Sequence, residues 1–174
     1  PIVRRDRSGW LVVEQGGSED RPSRIFWIVN EFRTERKERF LEMPGRLIYG
    51  LTFHPGFDTN GFFYVFSNGP TPSPDRTNRV SRFVMDREEP RGCDPASETV
   101  ILEWKSAGHD GGDLAFGQDG MLYITTGDGT SDSDGWVSGQ DVGNLLASLL
   151  RIDVDHPEET RPYSVPRDNP FLGV

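Results

Sequence analysis

The sequence is poor in cysteine, in basic residues and in long apolar runs, and each shortage excludes something. Its single cysteine, Cys93, permits no disulfide within the chain. No apolar stretch approaches the ~18 residues that a membrane-spanning helix needs, and the first ten residues lack the apolar core of a signal peptide. Lys and Arg number 19 against 28 Asp and Glu, giving a net charge of −9. Nucleic acid and anionic membranes repel such a chain, so neither is an expected partner.

Glycine and proline, in contrast, are abundant. The 174 residues include 20 Gly and 13 Pro, more helix-breaking residues than a helical bundle tolerates. The length fits one domain of ordinary size, and the composition favours a globular, turn-rich β fold.

A repeat runs along the chain. Three segments share a polar turn that ends in Gly, a four-residue apolar strand and a polar exit that also ends in Gly. Their turn glycines are 52 and 59 residues apart. The segments are 5–17, 57–69 and 117–129, with turn glycines Gly9, Gly61 and Gly120. A period of this length indicates a repeat architecture.

Further strands recur in a fixed order after each of these segments. A second strand follows at 23–29, 78–85 and 148–154, a third at 39–44 and 99–104, and a fourth at 47–55 and 111–117. Four antiparallel strands repeated in this way are typical of β-propeller blades. A β-sandwich explains the strand lengths but not the recurrent order. We therefore predict an all-β propeller.

Two segments have a helical pattern. Residues 30–40 are interpreted as a charged surface turn, and residues 141–150 as a short helix or an irregular lead into the next strand.

The three histidines differ in their surroundings. His54 ends a strand beside Pro55, which favours a turn-packing role, and His156 lies in an acidic connection that we expect to be solvated. His109 directly precedes the fourth-type strand, which is innermost in a propeller blade, and glycines surround it. A neutral imidazole near a channel is a natural general base, although a tight turn explains the same residues.

An acidic loop spans residues 127–141. Oxygen ligands at alternate positions followed by Gly135 resemble a calcium loop, with Thr130 in the first ligand position. The loop's candidate metal ligands are Asp128, Asp132, Asp134 and Asp141. No helix pair flanks it, so we interpret the loop as a solvated acidic turn, with a calcium site as the alternative. The sequence contains no nucleophile elbow, P-loop, CxxC, HExxH or GxGxxG pattern.

Six segments, taken in order, resemble the glucose/sorbosone dehydrogenase family of soluble quinoproteins. The resemblance covers nearly the whole chain and is strongest from 50 to 172. Its segments are GLTFHPGFDTNGFFYVFSN, NRVSRF, ETVILEW, GHDGGDLAFGQDGMLYITTGDG, GQDVGNLLASLLRIDVD and YSVPRDNPF. The resemblance implies a six-bladed propeller that binds pyrroloquinoline quinone and calcium, in a bacterial periplasmic or secreted setting. It also implies a sugar substrate and an electron acceptor such as a cytochrome or a quinone.

The resemblance also assigns roles to a few residues. His109 matches the base that removes the proton from the sugar's anomeric hydroxyl as hydride passes to the quinone. Family members place an Asp before this His to orient it, whereas here Asp110 follows it. Gly111 and Gly112 match small residues that let the cofactor stack over the channel. Where members have a cofactor-binding Gln, this chain has PGRLIYG, in which Arg46 is the candidate contact.

Three functions follow as hypotheses. The first is a quinone-dependent aldose or sorbosone-type dehydrogenase with His109 as base, and the second is a non-catalytic binding propeller. The third, a calcium-dependent lactonase-like hydrolase, needs several carboxylates on one metal, and the channel-side strands offer mainly Asp110 and Asp113. At 52 to 59 residues per blade, residues 1–174 hold about three of six expected blades. The chain is therefore interpreted as part of a longer propeller, and the resemblance implies an Arg-Asn-Pro motif and calcium ligands in its later blades.

Overall fold

The computed structural model describes residues 2–3, 9–29, 37–86, 88 and 91–172, and its strands form three antiparallel sheets in chain order. The first sheet contains β1 (Ile2–Val3), β2 (Gly9–Glu14), β3 (Ser23–Val29) and β4 (Lys37–Met43). The second contains β5 (Leu47–Phe53), β6 (Phe62–Gly69), β7 (Thr77–Val84) and β8 (Thr99–Lys105). The third contains β9 (Gly111–Phe116), β10 (Leu122–Thr126) and β11 (Leu149–Ile152). The all-β prediction and the predicted succession of blades are confirmed.

Helical structure is confined to single turns within the described ranges. A four-residue helix, α1 (Phe57–Asn60), ends at Gly61, whose φ of 70° is left-handed. Two 3-10 turns cover Pro95–Ser97 and Ser138–Gln140. None of the helices described is long or apolar enough to cross a membrane.

The two segments with a helical pattern have different outcomes. Of residues 30–40, the first seven lie outside the described residues, and the rest begin β4. Residues 141–148 form the irregular lead that was one of the two alternatives. Here the side chains of Asp141 and Asn144 accept hydrogen bonds from the amides of Gly143 and Leu146, at 2.9 and 2.7 Å. Such local bonds compete with a helical ladder.

Strand β6 shows why the sheets stack as blades. Its alternate residues Phe63 and Val65 face the core between the first and second sheets, while Tyr64 and Phe66 face the core between the second and third. All four side chains are at most 1% exposed. Because successive side chains of a strand point to opposite faces, a strand buried on both faces has a continuous apolar run.

The first strands of the second and third sheets, β5 and β9, lie side by side without being paired. A Cβ atom at Gly50 would collide with the carbonyl oxygen of Gly112. In a propeller these first strands line the central channel. The close approach therefore brings the start of β5 next to the loop that leads into β9, where His109 lies.

Candidate active site

His109 occupies the loop between β8 and β9. Its φ of 39° is in the left-handed region, which non-glycine residues rarely adopt. The backbone around it is tied to the exit of β10, since the amide of Gly127 donates to the carbonyl oxygen of Asp110 at 3.1 Å. The amide of Gly129 donates to the carbonyl oxygen of His109 at 3.4 Å. Local strain of this kind is concentrated at functional sites.

The imidazole of His109 contacts the carboxylate of Asp128. Its Nδ1 lies 3.2 and 3.3 Å from the two carboxylate oxygens, and the side chain is 46% exposed. The backbone amide of Thr130 lowers the pKa of Asp128, and the Thr130 hydroxyl and His109 lower it further. An ionised Asp128 accepts a hydrogen bond from Nδ1–H, so that Nε2 carries the lone pair of the neutral ring. This arrangement suits a general base.

Asp110 does not contact the His109 ring, and in this respect the expected arrangement is corrected. Its carboxylate is turned inward, in a residue that is 5% exposed. It accepts hydrogen bonds from the Tyr49 hydroxyl at 2.9 Å, from Asn68 Nδ2 at 3.0 Å and from the Ser106 hydroxyl at 2.5 Å. Asp110 therefore ties the second sheet to the loop that carries His109, and Asp128 is the carboxylate that orients the ring.

Tyr49 was not among the sequence candidates, yet it borders this network. It is 41% exposed on β5. Burial, followed by its hydrogen bond to Asp110, raises the pKa of the Tyr49 phenol to about 12. The phenol thus stays protonated and continues to donate to Asp110 at neutral pH.

Arg46 does not present its charge to the channel. The side chain is buried, with Nε donating to the Ser67 hydroxyl at 2.9 Å and one terminal nitrogen donating to the Thr77 carbonyl oxygen at 2.8 Å. Burial lowers the pKa of Arg46 to about 10. Arg46 therefore fastens β6 to β7, and the geometry does not fit the expected contact with a quinone carboxylate or carbonyl.

The two glycines after Asp110 are explained by the protein's own packing. Gly111 and Gly112 have φ values of 79° and 109°. A Cβ atom at Gly112 would lie 2.7 Å from atoms of Phe66 and Tyr49, and one at Gly111 would meet the backbone of Thr126. These glycines do not form an open cradle for the cofactor. Of the candidate residues, His109 with Asp128 fits a quinone site as its base, and the candidate cofactor contacts do not.

The acidic loop uses its carboxylates locally. Asp134 accepts hydrogen bonds from the amides of Gly139 at 2.8 Å and Ser138 at 2.6 Å, and these bonds, that of Gly139 first, lower the pKa of its carboxyl. Asp132 is exposed. Within the described residues no three His, Cys, Asp or Glu side chains form a group that could hold a metal ion. Asp128, Asp132 and Asp134, the candidate metal ligands, are therefore not brought together around one point.

The other two histidines also have carboxylate partners. His54 is 8% exposed, with Nε2 lying 3.0 Å from Asp155. His156 is 82% exposed and lies 2.9 Å from Asp153. His54 packs the turn after β5, and His156 is solvated, as the sequence indicated.

Comparisons with known proteins agree with this architecture. The family model described as Glucose / Sorbosone dehydrogenase matches residues 43–174. The Hedgehog-interacting proteins of Homo sapiens and Mus musculus are each 36% identical over 137 residues, covering 73% of this chain and 19% of theirs.

Solved structures give the fold of the matching region. A putative oxidoreductase (glucose dehydrogenase) from Thermus thermophilus is 26% identical, with a TM-score of 0.61 over 95% of this chain and 51% of its own. The PQQ-bound form of an aldose sugar dehydrogenase from Streptomyces coelicolor has a TM-score of 0.64 at 22% identity, over 99% of this chain and 54% of its own. These sugar dehydrogenases are β-propellers, which confirms the predicted fold class. The chain spans about half of these structures and about a fifth of the Hedgehog-interacting proteins.

Proposed function

Because the chain belongs to the glucose/sorbosone dehydrogenase family, we propose that the whole protein is a quinone-dependent sugar dehydrogenase in which His109 is the general base. The observation that carries the proposal is the His109–Asp128 pair. Its Nδ1 is held 3.2 Å from an ionised carboxylate while the ring is 46% exposed. A ring that is oriented on one nitrogen and accessible on the other is arranged for proton abstraction.

His109 Nε2 takes the proton of the anomeric hydroxyl of an aldose or a sorbosone-type sugar. The ring then becomes an imidazolium, which the negative charge of Asp128 stabilises. Pyrroloquinoline quinone, held by residues of the rest of the propeller, would supply the acceptor for the hydride of the anomeric carbon. Asp110 holds the His109 backbone through Tyr49 and Ser106, and so acts through position rather than chemistry.

We also propose where the cofactor contacts and calcium ligands lie, what accepts the electrons and in which cellular setting the protein acts. The chain covers 51% of the Thermus structure, so the contacts to the quinone and the calcium ligands are assigned to the rest of the propeller. The electron acceptor is proposed to be a cytochrome or a quinone, and the setting bacterial periplasm or secretion.

The test uses the full-length protein loaded with calcium and pyrroloquinoline quinone. Addition of an aldose should reduce an artificial electron acceptor, and titration with the quinone should change its absorbance spectrum. Quinone binding without sugar oxidation by any aldose or sorbosone-type sugar would overturn the proposed reaction.

A non-catalytic binding propeller is the second candidate function. It is favoured by the 36% identity to proteins whose name describes interaction with Hedgehog. This candidate predicts no absorbance change on quinone titration and binding of a protein partner instead. The same titration therefore separates the two candidates.

A further inference from the structure

A cleft of about 470 Å³ lies beside the His109 loop, between the end of β8 and the segment that leads into β11. Ligand pockets commonly measure roughly 300 to 1,000 Å³. We call it the Trp104–Trp136 cleft, and its lining residues are Trp104, Lys105, Trp136, Asn144, Leu145 and Leu146. None of these lining residues belongs to the His109–Asp128 pair described above.

Trp136 is held in the cleft by contacts that lead directly to the base. A Cβ atom at Gly129 would lie 2.9 Å from the Trp136 ring and 3.0 Å from Leu146, so both side chains pack over this glycine. The amide of Gly129 in turn donates to the carbonyl oxygen of His109. The cleft and the base therefore share the backbone of residues 127–129.

The exposure of Trp136 distinguishes it from an ordinary packing residue. Trp136 is 46% exposed even though its ring packs over the same glycine as Leu146, which is 8% exposed. Trp104 is fixed from behind by an edge-on contact with Phe66, with ring centroids 5.6 Å apart. The cleft thus has one indole that packs against Phe66, that of Trp104, and one that is accessible, that of Trp136.

The polar groups of the cleft favour a neutral, hydroxylated ligand. Asn144 Nδ2 donates to Asp141 at 2.8 Å and its Oδ1 accepts from the Leu146 amide at 2.7 Å, which leaves one N–H and one lone pair for a ligand, and Lys105 can donate. The ammonium group of Lys105 is already 3.4 Å from Asp75, and the chain has a net charge of −9. An anionic ligand would be repelled, whereas the C–H face of a sugar ring packs on an aromatic surface without needing charge.

We propose that the Trp104–Trp136 cleft binds a neutral sugar ring by stacking on Trp136, and that this ring is the non-reacting part of a saccharide substrate. The proposal rests on the proposed function for the identity of the substrate. It assigns to Trp136 a role in substrate binding and specificity, with Asn144 as the polar contact.

The test measures sugar binding without turnover. Full-length protein free of quinone is titrated with maltose and with glucose while tryptophan fluorescence is recorded, and sorbitol serves as the control for solvent effects. Maltose should change the fluorescence and saturate, and Asn144→Ala should weaken the response. Trp136→Leu should abolish the signal, whereas the matched variant Trp10→Leu, in the first sheet, should keep it.

Kinetics of the loaded enzyme provide a second readout. Trp136→Leu should raise KM for maltose roughly two- to tenfold, the range expected for loss of an aromatic contact, while kcat changes little. Trp136→Phe keeps an aromatic face and should restore most of the affinity. Because this comparison uses a conservative variant, a folding defect in Trp136→Leu leaves the proposal testable.

The outcomes separate this proposal from the proposed function. An unchanged fluorescence signal with maltose, or equal KM values for Trp136→Leu and the unmodified protein, would overturn the cleft as a sugar site. Saturable binding in a protein that oxidises no sugar would retain the cleft as a saccharide site and reject the dehydrogenase.

Discussion

Two of the three histidine–carboxylate pairs, those of His54 and His109, have nearly equal lengths in very different surroundings. His54 lies 3.0 Å from Asp155, and His109 lies 3.2 Å from Asp128. His54 is 8% exposed, whereas the His109 side chain is 46% exposed. Distance between ring and carboxylate therefore does not distinguish a structural pair from a candidate catalytic one.

The second ring nitrogen makes the difference. In His54, Nδ1 accepts hydrogen bonds from the Gly56 amide at 2.9 Å and from Asn60 Nδ2 at 2.8 Å, so both nitrogens are occupied. The pair joins the turn after β5 to the segment after β11. In His109 the carboxylate occupies Nδ1, and Nε2 is the nitrogen assigned to the substrate. A general base needs an orienting partner on one side and access on the other.

The largest effect is expected from His109→Asn in the full-length enzyme loaded with calcium and quinone. Turnover should fall ~100- to 10,000-fold because the general base is lost. Asn is chosen since it tolerates the left-handed backbone of residue 109. Coupled dye reduction measures the rate. His156→Asn is the matched control, because it removes a solvated ring, and it should keep the original rate. Turnover within twofold of the original in His109→Asn would contradict the assignment.

A smaller loss is expected from Asp128→Asn. The amide oxygen still accepts the Thr130 amide, but the negative charge opposite His109 is gone. Turnover should fall roughly ten- to hundredfold, as expected for loss of a hydrogen bond to a charged group.

Asp155→Asn makes the same change in the other pair, and stopped-flow or steady-state rates should show no loss. Equal turnover rates for Asp128→Asn and Asp155→Asn would contradict the assignment of a catalytic role to the His109 pair alone.

His54→Phe should lower the free energy of unfolding by about 1–3 kcal/mol, since the partly buried Gly56 amide and the Asn60 side chain lose their acceptor. Turnover should stay close to the original value in the folded fraction. Chemical denaturation followed by circular dichroism measures the change. A variant as stable as the parent would show that this pair does not fasten the blades.

The smallest effect is expected on the stability of the acidic loop (residues 127–141) at low pH. Backbone amides lower the pKa values of Asp128, Asp134 and Asp141, with Thr130, Gly139 and Gly143 as the respective first contributors. A depressed carboxyl pKa contributes stability that is complete above the ordinary value of about 4 and is lost as pH falls through the lowered value. The loop should therefore keep its structure to below pH 4, as monitored by Trp136 fluorescence.

Asp134→Asn should make that acid transition shallower, because it removes one titratable carboxylate that accepts hydrogen bonds from the loop amides. Asp132→Asn, a change at an exposed position of the same loop, is the control. Identical acid profiles for Asp134→Asn and the parent would contradict the capping role.

Much of the fold could be predicted because it follows from local pattern. The run FFYVF in β6 predicts a strand buried on both faces, and the turn glycines Gly61 and Gly120 adopt left-handed backbone angles as turn residues should. The segment 141–148 was ambiguous, since its apolar spacing resembles a helix. The outcome depends on Asp141 and Asn144, whose side chains bind nearby amides.

The candidate site was predictable only in part. His109 could be singled out by its place before an inner strand. Its partner Asp128 is 19 residues away in sequence, and the two meet because the exit of β10 folds back over the His109 loop. The inward orientation of the Arg46 side chain and the burial of Asp110 likewise depend on packing between sheets, which a short sequence motif does not predict. Tyr49 lacked any local signal.

The close approach of Gly50 and Gly112 bears on the size of the ring that the blades close. At these positions β5 and β9 are separated by little more than backbone, and a Cβ atom at Gly112 would press on Phe66 and Tyr49. Bulkier residues would push neighbouring inner strands apart and reduce the wedge angle between blades. A propeller with wider spacing closes with more blades around a broader hole. Gly50 and Gly112 therefore set how closely the inner strands of the second and third sheets approach each other, next to the loop that carries His109.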